Sequence, residues 1–480
     1  MLQEDTWYED KARKGANLHD IVREHKARAA AKQSALKDDL TALLQKDPEL
    51  YELEKDHRFK RWLEYVEPRV SPSGDLSQLD RGQEEIAALV PLDGEARPAA
   101  YGTWEPIGPY SEGTTGAGRL NWVEFHPQDT SAMMVGSPSG GVWFTRDGGK
   151  TWTTPTDKIA VLGAAWAAYH PTRPDTIYLG TGDGYHGDTK SIGVLRSTDG
   201  GKTWGRTGLE FPITGSTQIV KLVTDPRNPD KLFVAASNGV YVSLDGGATF
   251  TKSTGITGKV WDLEIHPGNP DIVYASTAAF HRSTDGGKTF SAVAGATSTY
   301  RMLIGVTPAE PSWVYLLRGS RSATEGVELS IDDGLTFARK GTGAEIGCSQ
   351  AWYDYALAVN PDKADDLAAG CLRVFRSGDG GTAWTQAGAS YHVDIQGLAF
   401  RRDGALFAVT DGGIYRATGR STWQSLNNNL NIGQSYRLGV DRHDYDRVCT
   451  GRQDNGTDFR DGGEFRRALG GDGFECFWNN

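Results

Sequence analysis

The chain has 480 residues, a formal net charge of −11, 38 % hydrophobic residues and 60 glycines. The acidic balance argues against a nucleic-acid backbone as partner. No run of eighteen apolar residues exists to form a transmembrane helix. A mean hydropathy of −0.48 with this much glycine fits a turn-rich all-β chain.

The first stretch differs in style from the rest. The opening, MLQEDTWYEDKARKG, is acidic and has no apolar core, so no secretory leader is read in it. LHDIVREHKARAAAKQSALKDDLTALLQKD and ELYELEKDHRFKRWLEYVEPR place apolar and charged residues at helical spacing. Two or three amphipathic helices are predicted there, with Asp20 and Asp47 near their ends. VSPSGDLSQ is a break, and a connector runs on to residue 100. Residues 1–100 are therefore read as a helical arm and connector that packs on the remaining domain or on a partner, and residues 101–480 as that domain.

From there the text repeats. Ser/Thr-x-Asp-x-Gly-x-Thr-Trp/Phe occurs six times, centred on Asp147, Asp199, Asp245, Asp285, Asp332 and Asp379, at separations of 52, 46, 40, 47 and 47 residues. The sixth copy has Ala383 for the threonine, and a worn seventh, TGRSTWQSL, keeps only the tryptophan. Before each copy come an alternating segment closed by a turn (WVEFHP, IVKLVTDP, VWDLEIHP), a short apolar run (TIYLGT, KLFVAAS) and a third run (GVLRSTD, GVYVSLD). Period-two alternation bounded by Gly, Pro and Asp reads as strands. Four strands per unit at a period of roughly 40–50 residues is the grammar of a β-propeller. Asp accepts bonds from the backbone N–H groups that follow it and glycine permits positive φ, so the motif is read as the turn between third and fourth strands. Blades are expected to end near 154, 207, 252, 292, 339, 386 and 425, with an eighth running to about 469. GFECFWNN then looks like the first strand of a ninth, inside which the chain ends. TWEPIGP (103–109), an orphan fourth-strand opening, suggests a terminal strand that closes the ring.

These residues resemble the bacterial BNR/Asp-box repeat propellers, related to the ten-bladed propeller of sortilin and to the two-propeller xyloglucanases. The resemblance covers residues 103–480 and is carried by GRLNWVEFHP, GSPSGGVWFTRDGGKTW, GTGDGYHGD, TDGGIYR, QDNGT and GGDG. It implies a secreted or cell-surface protein and leaves activity open. Xyloglucanases, by this resemblance, place their general base in a Thr-Asp-x-Gly-Gly turn of the first blade. The matching turn here is Ser137-Pro138-Ser139-Gly140-Gly141, and proline cannot accept a proton. No Phe/Tyr-Arg-Ile-Pro string precedes the first repeat, which argues against a sialidase; Arg119 is read as a structural contact.

Chemistry then has to sit in letters that do not recur. The candidate catalytic carboxylates are Asp411 of TDGG, Asp454 of QDNG and Asp472 of GGDG, a set suited to paired acid/base work, although ordinary turn chemistry explains the same strings. Asn455 and Glu475 are candidate ligand-binding neighbours. His392 and Asp394, spaced i, i+2 in YHVDIQ, are a further candidate pair, read as sharing a strand face. Asp183 and Asp188, in the insertion GTGDGYHGDTKS, are candidate oxygen ligands for Ca²⁺, the single cofactor considered. Trp122, Trp166, Trp261, Trp352 and Tyr353 are divided between blade core and channel lining. Cys348 with Cys371, and Cys449 with Cys476, are either local disulfides or buried thiols. The leading functional reading is a propeller that binds a protein or glycan partner at its channel mouth without catalysis; the alternative is a glycoside hydrolase acting on a polysaccharide through paired carboxylates.

Overall fold

The structure, a computed structural model, describes residues 11, 16–36, 63, 66–67, 70, 72–76, 106–110, 116–187 and 189–478. The chain divides into two compact units, Met1–Leu89 and Val90–Asn480.

In the first unit α1 spans Leu18–Leu36. Asn17 precedes it as an N-cap, its Oδ1 accepting the His19 N–H at 2.9 Å, and its Nδ2 donates to Ser73 O. Leu18 and Ile21 pack with Val66 and Leu76 in a small core. The other predicted helices fall mostly outside the described residues.

Among the described residues the second unit forms eight antiparallel sheets, each a meander in chain order. Blades 1 to 8 span 122–153, 164–210, 219–252, 262–297, 301–341, 356–386, 395–425 and 435–469. Their ends lie within five residues of those expected from the repeats. Seven sheets have four strands. Blade 1 has three, and its fourth is reduced to one bridge, Phe144 to Thr153, because Pro155 removes the next donor and a 3₁₀ turn follows.

Seven apolar clusters, one per interface, hold blades 1 to 7 together, and the seventh joins blade 7 back to blade 1. The ring therefore closes at seven. Each cluster carries one aromatic from a repeated turn: Trp152, Trp204, Phe250, Phe290, Phe337, Trp384 and, from the worn copy, Trp423. The closing seam is packing plus polar pins. Trp152 Nε1 donates to Leu426 O at 2.7 Å, and the Asn429 amide bonds both the N–H and the C=O of Trp152.

Of the expected closing strand TWEPIGP, Thr103–Glu105 lie outside the described residues and Pro106–Tyr110 form no strand. Residues 470–478 contain no strand, because Gly473 N–H binds Arg452 O and a disulfide joins Cys476 to Cys449, which ties the segment back onto blade 8. Blade 8 itself shares no apolar cluster with the ring, and Leu438, Tyr445, Leu469 and Phe477 on and beside it are exposed.

The six repeated turns share one hydrogen-bond pattern. At Asp245, Oδ1 accepts from Ser243 Oγ and the Thr249 N–H, and Oδ2 accepts from Thr249 Oγ1 at 2.6 Å. In the sixth copy Ala383 keeps the backbone bond and lacks the hydroxyl. Gly148, Gly200, Gly246 and Gly286 then donate to the loop joining first and second strands of their own sheet, and Gly380 to Asp365 near the start of the second strand of its sheet. This places the repeated turns at one end of the blades. The connections into each first strand, and the turns between second and third strands, lie at the other.

Candidate functional site

The end opposite the repeated turns is where the sequence stops repeating. First strands of consecutive blades neighbour one another around the ring, so residues at their heads surround the mouth of the central channel. Arg119 and Asn121 lead into blade 1, Lys259 and Trp261 into blade 4, Gln350 to Asp354 into blade 6, and His392 to Asp394 into blade 7; Arg301 opens blade 5. Asp183, Tyr185 and His186 come from the turn insertion of blade 2, and Asp411 and Asp454 from the matching turns of blades 7 and 8.

Carboxylates gather on the side of blades 6 to 8. Gln350 Nε2 bridges Asp354 Oδ2 at 3.2 Å and Asp394 Oδ1 at 2.8 Å, so these two oxygens lie within about 6 Å of each other. Burial, then the neighbouring Asp394 charge, raises Asp354 to about 8. Burial, then the Asp454 charge, raises Asp394 to about 6. Asp411 is buried, accepts from Tyr353 Oη and from Gln396 Nε2 at 2.8 Å, and is pushed well above the carboxylate range, mainly by burial. The Cys348–Cys371 disulfide fastens the segment carrying Gln350 and Asp354 to the second strand of blade 6.

Blade 8 reaches this mouth through one hairpin turn. Asn455 Nδ2 donates to Asp411 O and to Gln453 O, both at 2.9 Å, and the His392 ring lies 3.1 Å from Asp454 O. The Asp454 N–H donates to Asp472 Oδ1 at 3.0 Å. Asp472 and Asn455 thus hold the turn, and the Asp454 side chain is left half-buried at the mouth beside Asp394 and Asp411.

Asp183, a candidate oxygen ligand in the sequence, is engaged by protein groups: its Oδ2 receives Arg119 Nη2 at 2.7 Å, and its Oδ1 accepts from Asn121 and the Tyr185 N–H. Asp188 lies outside the described residues. His392 and Asp394 do not share a strand face, because Asp394 adopts φ +65° and the strand starts only at Ile395. Glu475 is exposed and stands apart from these contacts. Arg119, read as structural, holds Asp183 and lies 6.0 Å over the Tyr353 ring, so it belongs to the mouth. Trp122 is blade core, its Nε1 donating to Ala164 O, whereas Trp261, Trp352 and Tyr353 belong to the mouth.

Asp354, Gln350, Arg301 and Lys259 were missed. Their signal is a lone charge or amide just ahead of an apolar first strand, as in WYDYALAV, TYRMLIGV and GKVWDLEI. A cavity of about 310 Å³ opens elsewhere, beside Ser139 and Trp143 of blade 1 and Ile432. Asp157 is the single acid among its described lining residues, which leaves the mouth as the candidate site.

No family model matches the chain. Its sequence is similar to xyloglucanases. A xyloglucanase of Paenibacillus sp is 27 % identical over 351 residues, covering 62 % of this chain and 34 % of that protein. One of Hypocrea jecorina is 27 % identical over 274 residues, covering 56 % and 24 %. The fold is similar to that of an ancestral GH74 enzyme, with a TM-score of 0.59, 15 % identity and coverage of 77 % of this chain and 56 % of the other. The chain spans a quarter to a third of the length of these curated relatives.

Proposed function

We propose that the channel mouth is the carboxylate half of a glycoside hydrolase site acting on a polysaccharide. Asp394 serves as general acid and Asp454 as the second carboxylate. The observation that carries this reading is the convergence of Asp354, Asp394, Asp411 and Asp454 from three successive blades onto one mouth. Asp394 is half-buried and raised to about 6, so in mildly acidic solution it has a proton to give to a glycosidic oxygen. Asp354 is fully buried and keeps a proton up to about pH 8, which spares Asp394 a second adjacent negative charge. Trp352, Tyr353 and His186 form an aromatic shelf beside the acids, a surface suited to the face of a sugar ring. The similarity to xyloglucanases supports the class of reaction, while Pro138 argues against a base in blade 1. The two disulfides favour an oxidising compartment, consistent with secretion.

The test is release of reducing ends from xyloglucan and a panel of other polysaccharides. Wild type releases them with a rate that falls above about pH 6, as the general acid loses its proton. Asp394→Asn lowers the rate by about 10²–10⁴-fold and leaves substrate binding intact. Binding without release by wild type on every polymer would return the non-catalytic reading to first place.

A further inference from the structure

The mouth is polar in two senses. Opposite the carboxylates, the guanidiniums of Arg301 and Arg321 meet the Lys259 amine on the side of blades 4 and 5. Burial and then the Arg301 charge lower that amine to about 7, and an arriving anion would recharge it. Arg301 is 1 % exposed, with its guanidinium 4.6 Å from the Tyr185 ring and 5.1 Å from the Trp261 ring. Lys259 Nζ sits 3.8 Å over the Trp261 ring and donates to Tyr185 O at 3.2 Å. Arg321 lies 4.9 Å over Tyr300, whose ring is 5.2 Å from that of Trp261.

Stacking serves the faces of a guanidinium and leaves its edge unanswered. The N–H groups lie in the guanidinium plane and need acceptors in that plane. Nε and Nη1 of Arg301 are buried and have no hydrogen-bond partner, and Arg321 Nε is in the same condition. Among the described residues Arg301 makes no ion pair, and the acids around it are engaged elsewhere. Asp183 is held by Arg119. Asp262 accepts from Lys221 Nζ at 2.6 Å and from the Ile304 N–H at 2.8 Å, and Asp354 from Gln350. A buried guanidinium without a counter-ion is costly, and the described residues supply none. The chemistry that answers two in-plane donors flanked by aromatic walls is a planar or tetrahedral oxyanion.

We propose that Arg301 and Lys259, walled by Tyr185 and Trp261, bind the carboxylate or sulfate of an acidic polysaccharide, which makes the substrate an anionic glycan. The polymer rests on the function proposed above; the anion site stands on this geometry alone.

The experiment is calorimetric titration of the full chain with an oligogalacturonate, a sulfated oligosaccharide, a neutral xyloglucan oligosaccharide and inorganic sulfate. The variants are Arg301→Gln and, because a buried substitution can fail to fold, the half-buried Lys259→Met; circular dichroism and the thermal midpoint report folding. Wild type is expected to bind an acidic sugar more tightly than the neutral one and to lose affinity as salt rises. Either folded variant then loses at least about tenfold for the acidic sugar and little for the neutral one. The oligogalacturonate and sulfated arms tell carboxylate from sulfate. Equal binding of acidic sugars by wild type and both folded variants, or no acidic binding by wild type, overturns the site. Cleavage of neutral xyloglucan with no acidic binding sinks this inference and leaves hydrolysis standing. Acidic binding that depends on Arg301, without cleavage of any polymer, does the reverse.

Discussion

Asp245 sits at the outer turn of blade 3, where neighbouring hydroxyls and a backbone N–H donate to both its oxygens. Asp394 sits at the head of blade 7, where an amide of Gln350 meets one oxygen and the Asp454 charge lies near. The first is held down to about 2 by those donors, led by the Thr249 hydroxyl; the second is raised to about 6 by burial and then by Asp454. The same contrast separates Asp332, at about 2, from Asp354, at about 8. A carboxylate written into a repeat is surrounded by its own turn and stays ionised. Asp394 and Asp354, written once, are surrounded by other blades, whose charges and burial raise them into the range where proton transfer is useful.

The widest separation of the two regions comes from substituting one residue in each. Asp394→Asn is expected to remove hydrolysis by about 10²–10⁴-fold with a urea midpoint that matches or exceeds that of wild type. Trp152→Ala is expected to do the opposite. Its ring is 2 % exposed in the seam between blades 7 and 1, and its truncation costs about 3–5 kcal/mol, read as a lower urea midpoint. A Trp152→Ala chain that keeps its stability would mean that the ring is not closed where the apolar cluster closes it. An Asp394→Asn chain that loses stability instead of rate would place Asp394 with the structural aspartates.

The same division explains what could be read in advance. The repeat architecture and the blade ends were legible because six turns and seven aromatics recur, and each recurrence does the same job in every copy. Closure at seven was not legible. It depends on the angle between successive sheets and on how Leu120, Trp152, Leu426 and Asn429 meet, and none of these carries a mark that separates closure from one more blade. For the same reason blade 8 reads as one more blade although no apolar cluster ties it to the ring. At the mouth, Asp411, Asp454 and Asp394 were legible as letters that broke the pattern. Asp354 was not, because its meaning comes from Gln350 and Asp394, which the chain places beside it only after blades 6 and 7 have packed. The partner of Asp183 was not legible for the same reason: Arg119 stands 64 residues earlier and meets it only after folding.

The smallest effect sharpens the comparison most, because its sign differs between the two regions. Asp354 has a folded pKa of about 8, above the unfolded value near 3.8. Between those limits the folded chain keeps a proton that the unfolded chain has lost, so this group's contribution to stability falls as pH rises from about 4 to 8. One proton can give a slope of at most about 1.4 kcal/mol per pH unit. Asp354→Asn keeps an acceptor for Gln350 and has no proton to lose. It should flatten that decline and match or exceed wild type in urea midpoint at pH 8. Asp245 has a folded pKa of about 2, below its unfolded value, so its contribution is present above about pH 4 and is lost as pH falls toward 2. Asp245→Asn should lower the midpoint slightly at pH 7, and its deficit against wild type should shrink as the solution is acidified. Urea midpoints of wild type and both variants between pH 2 and 9 measure the two trends together. If the two variants shift the profile in the same direction across both windows, the carboxylates at the two ends of the blades do not differ in the way their surroundings require.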